Sequence, residues 1–290
     1  YNPDCDYENK KSIYYGKITY DENFWINSKI KFIKRGIYNF GKSSINITDF
    51  FHFFTLKKDY DHNLIIKIYP KIFNLKKITS REKDIFKEII DKESNIVNQY
   101  YIKDVRKYKE GDNIKKIHWK ISSKYRELFV KNYETISGYE NCIFLDMNKN
   151  NYSFDKNGAT EEKLIDYFTS ITHKLITSNI ATRVFINCQK KVRMEINTLN
   201  DFNNLLDFLI EQESDSDMDY SQFIYEKIYN IDKMNKIIIL VVKINDSLLN
   251  TILKLNDSGY SFSVFSCLEN SNNNKLNKYG INCITFNNQV

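Results

Sequence analysis

The strongest constraint on the fold lies beyond Tyr139, where short apolar runs alternate with longer segments of helical period. Residues 141–145 form one such run, ending at Asp146. In residues 161–178, Leu164, Phe168, Ile171 and Leu175 recur at the spacing of one helix face. Residues 182–188 and 192–196 are strand-like and joined by Gln189, Lys190 and Lys191, a connection short enough for a hairpin. Amphipathic helical period returns in residues 199–210 and 220–231, on either side of the acidic linker 211–219. A fully apolar strand at 237–242, a helix at 247–256 closed by Gly259, and strands at 261–266 and 281–286 complete the series. Strands that are apolar on both sides need helices on both faces of their sheet. Residues 139–290 are therefore predicted to form a doubly wound, mostly parallel α/β domain with one antiparallel edge strand.

The first part of the chain reads differently. Residues 13–20, 29–34, 44–48 and 63–69 cluster β-branched and aromatic residues, with Gly16, Gly36 and Gly41 as breaks between them. A small antiparallel β domain, a sandwich, is predicted over residues 1–76. A helix is expected from Ser80, a good N-cap, with Lys83 where a capping-box glutamate would stand and Ile85, Phe86, Ile89 and Ile90 on one face. Residues 77–138 then form a connecting segment, giving an α+β multidomain chain.

Composition supports ordered domains: 42% of the 290 residues are hydrophobic and 15% aromatic. The abundance of Asn, Lys and Ile reads as biased base composition, so charge carries meaning only where it is concentrated. Cys5, Cys142, Cys188, Cys267 and Cys283 are odd in number and contain no Cys-x-x-Cys pair, which predicts buried thiols and neither a disulfide framework nor a zinc site. No apolar run approaches the roughly 18 residues that span a bilayer. The chain starts at Tyr1 without Met, which reads as an excised piece of a longer protein.

Residues 105–130 are the most specific stretch. Gly111 and Asp112 suit a tight turn, Trp119 is a large apolar anchor, and Arg106 and Arg126 are suited to bidentate bonds with carboxylates. From residue 103 to 131 there are ten Lys or Arg and four Asp or Glu, a surplus of +6 that equals the net charge of the whole chain, 43 minus 37. Two readings stay open: an ionic and aromatic staple between the two domains, or a recognition surface for an acidic protein or an anionic membrane. Nucleic acid is not expected, because no binding module is recognisable. His52, His62, His118 and His173 are scattered, without a hydrolase or phosphate-binding motif. His118, beside Trp119, is the one histidine in a specific context and reads as an acid–base group or a packing residue.

Two resemblances follow from these residues. The order strand, helix, hairpin, helices, strand, helix is similar to that of a von Willebrand factor A domain, whose first strand ends in Asp-x-Ser-x-Ser at a divalent-cation site. Here Asp146 matches, while Asn148 and Asn150 stand at the serine positions, and Lys243 and Ile244 follow the strand where an acidic residue is expected, with Asp246 displaced. The resemblance thus implies a degenerate metal site, with Lys243 neutralising the pocket in place of magnesium. Arg106-x-Tyr108-x-x-Gly111-Asp112-x-x-Lys115-Lys116-Ile117-His118-Trp119-Lys120, followed by Arg126 and the run 128–131, resembles the signature of the bacterial "domain of unknown function 58" family. Arg35-Gly36-x-Tyr38-x-x-Gly41 and Ile68-Tyr69-Pro70 resemble the β domain that precedes it. The resemblance implies the cytoplasmic part of a membrane-anchored protein, and a non-catalytic adaptor or co-chaperone partnering a MoxR-type AAA+ ATPase. The Asp146 edge of the sheet is then the default docking face. Metal-dependent adhesion at Asp146, and a hydrolase using His118 or Asp112, are the alternatives.

Overall fold

A computed structural model describes residues 5–7, 13–17, 23, 25–27, 29–73, 101–109, 112, 117–134, 141–155 and 157–286. The helix expected from Ser80 lies outside them, as do Gly111, Lys115 and Lys116.

The second half is built on a six-stranded sheet of β7 (Asn141–Asp146), β8 (Thr182–Asn187), β9 (Val192–Ile196), β10 (Lys236–Val241), β11 (Ser261–Ser266) and β12 (Asn282–Thr285). The spatial order is β12-β11-β10-β7-β8-β9, parallel throughout except for the antiparallel edge strand β9. Winding reverses between β7 and β10. The helices α2 (Ala159–Thr177), α3 (Leu199–Glu211), α4 (Tyr220–Ile228), α5 (Asp246–Asp257) and α6 (Ser271–Lys278) cover both faces. Alternation along β7 shows how the layers form: Ile143 and Leu145 enter one core with Leu164 and Phe168 of α2 and Phe202 and Leu205 of α3. Cys142 and Phe144 enter the other with Phe223 of α4, Ile252 of α5 and Leu276 of α6. A strand buried on both sides cannot show an amphipathic alternation, which is why these runs are continuously apolar. All five cysteines are buried thiols.

α6 is a helix that the sequence reading left out. Its residues are mostly Asn and Lys, and Leu276 is its single buried hydrophobe. A capping box starts it: the Asn270 side chain accepts from the Asn273 backbone, and Asn273 reciprocates.

The first half departs from the expected sandwich. Among the described residues it forms two-stranded pairs: β1 (Cys5–Tyr7) with β2 (Ile30–Phe32), and β3 (Gly36–Thr48) with β4 (Thr55–Ile68). Residues 13–17, expected within a strand, have no regular structure. β3 runs straight through Gly41, expected as a break. The register slips there between Phe40 and Lys42, and a Cβ on Gly41 would sit 2.9 Å from the Asn63 backbone nitrogen. Gly41 is thus a bulge residue in a long ribbon rather than a strand end.

Candidate functional site

The motif segment folds into a third pair, β5 (Tyr101–Lys107) with β6 (Phe129–Glu134), and a short helix α1 (Trp119–Tyr125) between them. Arg106 donates from both terminal nitrogens to the two oxygens of Asp112, each at 2.7 Å. Asp112 also accepts the Lys109 N–H at 2.8 Å. The Arg106 bond, then the Lys109 bond, hold its carboxyl at about 2. His118 is the N-cap of α1: its Nδ1 accepts the Ile121 N–H at 3.3 Å, and its backbone N–H donates to the Phe129 carbonyl at 2.8 Å. Ser122 is buried, and its Oγ accepts the Phe129 N–H at 2.9 Å. Arg126 ends the helix in the left-handed conformation, φ 54°. The hydrogen bonds of Asp112, His118 and Ser122 therefore stay within residues 109–129 or reach Arg106.

Trp119 departs from the buried anchor expected of it. It is 65% exposed, with Tyr125 and Leu128 also exposed. Lys124 lies over the Tyr125 ring, 5.6 Å from its centroid. The described ribbon and helix thus present aromatic and basic side chains outward, at Trp119, Lys124 and Tyr125.

At the carboxyl edge of the large sheet, Asp146 is fully buried at the reversal between β7 and β10. It accepts the Asn148 N–H at 3.0 Å, the Asn151 amide at 2.6 Å and, more weakly, the Asn187 amide at 3.4 Å. Burial nonetheless raises its carboxyl to about 6, against the pull of those three donors. Asn148 has both ends of its amide engaged: Oδ1 accepts the Asn150 N–H at 2.9 Å and Nδ2 donates to the Met218 carbonyl at 2.7 Å. Asn187 donates to the same carbonyl at 3.1 Å and accepts from Ser216 at 3.0 Å. N–H donors therefore point at the carboxylate from the side where a cation would need oxygen. Asn150 is exposed and lies within a 3-10 turn, Lys149–Tyr152, that Asn148 caps. Lys243 is exposed, and the groups that stabilise the Asp146 anion are amides, which corrects the expectation that a lysine does so. Asp246 accepts from Asn272 at 2.9 Å. The residues present do not fit the octahedral oxygen shell that magnesium demands.

The contact between the ribbon and the α/β half is made by residues outside both candidate sites. The Arg35 side chain is 4% exposed and bonds to Glu161 at 2.7 Å, to Glu162, and to the carbonyls of Leu209 at 2.8 Å and Gln212 at 2.7 Å. It thus joins acidic residues of the first turn of α2 to the carbonyl end of α3, where a cation is favoured twice over. Glu162 is still shifted upward, because its burial outweighs the ion pair. Beyond β4, the Lys71 N–H donates to Asp166 at 2.7 Å and the Phe73 N–H to Ser170 at 2.8 Å. Burial lifts Asp166 to about 6 against the Lys71 bond. Between the ribbon base and α2 lies a cavity of about 390 Å³, lined in part by Phe32, Tyr69, Phe73 and Tyr167.

Residues 104–194 match the family model described as "Protein of unknown function DUF58". The match runs from the motif ribbon through β9, and so takes in both the Arg106–Asp112 pair and the Asp146 edge. No curated protein matches the chain. Arg35, Asn151, Asn187 and Ser216 were missed as structural residues of these sites. Their partners lie up to 177 residues away, and only the Arg35-Gly36 pair carried a local signal.

Proposed function

We propose that the chain is a non-catalytic protein-interaction module, an adaptor or co-chaperone, and that its partner is a MoxR-type AAA+ ATPase docking on the motif ribbon. The observation that carries this reading is Trp119: a tryptophan 65% exposed on a helix whose N-cap is fixed by His118 and which is tied to β6 through Ser122. A large exposed ring on a pre-ordered scaffold, with Tyr125 and lysines beside it, is the composition of a binding hot spot. The strand order and the single antiparallel edge support a von Willebrand factor A-like α/β half, and the closed Asp146 network supports a structural role for that edge. His118 has Nδ1 committed to capping, and Asp112 is committed to Arg106, which leaves neither as a poised base. Attachment to a membrane through segments outside this chain belongs to the same proposal; among the described residues no helix is long and apolar enough to cross one.

The test is a pull-down with the purified MoxR-type ATPase of the same host, with and without nucleotide. Retention by the wild type and loss in Trp119→Ala, at unchanged melting temperature, is the expected result. Empty pull-downs in both nucleotide states would remove the reading.

A further inference from the structure

The β3–β4 ribbon ends in a loop whose side chains have no place in a water-facing hairpin. Phe50, Phe51, Phe53 and Phe54 are 86%, 69%, 78% and 78% exposed. The rings of Phe50 and Phe51 meet edge to face, and those of Phe51 and Phe53 stack, so they form one apolar cap. The cap continues down one face of the ribbon through the cross-strand pairs Ile47–Leu56 and Ile45–Lys58. The opposite face carries Ser44, Asn46, Thr48, Thr55 and Lys57. The loop is also pre-ordered by Asp49. Its carboxylate accepts the N–H groups of Phe54 at 2.7 Å and Phe51 at 3.3 Å, its carbonyl accepts that of His52 at 3.0 Å, and its N–H donates to Phe54 at 3.2 Å.

We infer that this tip docks on the surface of a phospholipid bilayer, its four phenylalanines entering the boundary between headgroups and acyl chains. Two observations select lipid over a second copy of the chain, and a third lowers the cost of burying the tip in either. The tip is convex, and two convex loops meeting end to end fall short of the roughly 800 Å² per partner that a specific interface buries. Lys58 lies within the apolar face, directly opposite Ile45, and a lysine there opposes face-to-face packing of two ribbons. At a membrane the same lysine is tolerated: it is four residues behind Phe54, about 13 Å at the rise of a strand, where headgroups rather than acyl chains would face it, and its Nζ lies over the Tyr60 ring, 5.1 Å from the centroid. Finally, Asp49 already satisfies three of the loop's N–H groups, which reduces the cost of leaving water.

The experiment is flotation of the full chain with phosphatidylcholine vesicles, with and without phosphatidylglycerol, at low and high salt. The wild type is expected to float with both compositions and to persist at high salt, because ring burial is not screened. Replacing Phe50, Phe51, Phe53 and Phe54 together by Ser is expected to weaken partitioning at least about tenfold at unchanged melting temperature. In Phe53→Trp, brominated lipid is expected to quench the new indole. A wild type that stays with the buffer overturns the inference. So does flotation that survives the four-Ser change but vanishes in salt, which would assign it to the basic motif. A tip-dependent dimer that ignores vesicles would assign the cap to a second copy.

Discussion

The sheet half and the ribbon half use the same residue types to opposite ends. In β7 and β10, Ile, Leu and Phe are buried between helices on both sides, and every neighbour reinforces the register. In β3 and β4, equally apolar residues such as Ile45, Ile47, Leu56 and Leu64 stay exposed, and the ribbon is held at one end by Arg35 and the Lys71 backbone. A two-stranded ribbon is marginal alone. Apolar sequence therefore means stability in one half and availability for contact in the other, and the contrast can be broken by experiment.

The largest effect is expected in the sheet. Phe144→Ala removes a fully buried ring stacked on Phe185, centroids 4.7 Å apart, and should cost about 3–5 kcal/mol by chemical denaturation. Next comes the clamp. Arg35→Ala leaves Glu162 without its cation and should cost about 3 kcal/mol. Hydrogen exchange should rise first in β3 and β4, while β7 and β10 stay protected; uniform loss would show that the two halves unfold as one.

A smaller effect is expected from pH. Asp146 and Asp166 both sit at about 6, above the unfolded value of about 3.9. The folded state thus holds these protons more tightly than the unfolded chain. Their contribution is complete below about pH 4 and is lost as pH rises through about 6. Asp112 has the opposite sign. Held at about 2 by Arg106 and Lys109, it stabilises the motif above about pH 4 and loses that contribution as pH falls toward 2. Melting temperatures across this range, compared with Asp146→Asn and Asp112→Asn, separate the two signs. The smallest effect on stability is expected at the tip: Phe51→Ser should fall within about 0.5 kcal/mol, since its ring is already in water.

What was legible in the sequence follows the same division. Buried strands such as 141–145 and 237–242 announce themselves, because continuous apolar runs have few other solutions in a packed fold. Asp146 at the end of its strand was legible for that reason. α6 was not, since one buried leucine gives no period; its Asn270 and Asn273 capping box was the available signal. Trp119 misled because tryptophan usually seeks a core, and nothing local reveals that it stays 65% exposed. Of the expected sandwich the described residues show only two-stranded pairs, because which strands pair is a long-range choice that local alternation does not fix. Asn151 and Asn187, which donate to Asp146, read in sequence as ordinary polar residues.

The central claim is that the motif of residues 105–130 is a display surface centred on Trp119, and that the Asp146 edge is structural. Affinity of the full-length protein for the purified MoxR-type ATPase, measured for the wild type, Trp119→Ala and Asp146→Asn, tests it most directly. The account predicts a loss of about 2 kcal/mol or more for Trp119→Ala and little change for Asp146→Asn. Equal binding by wild type and Trp119→Ala, with loss in a folded Asp146→Asn, would contradict it.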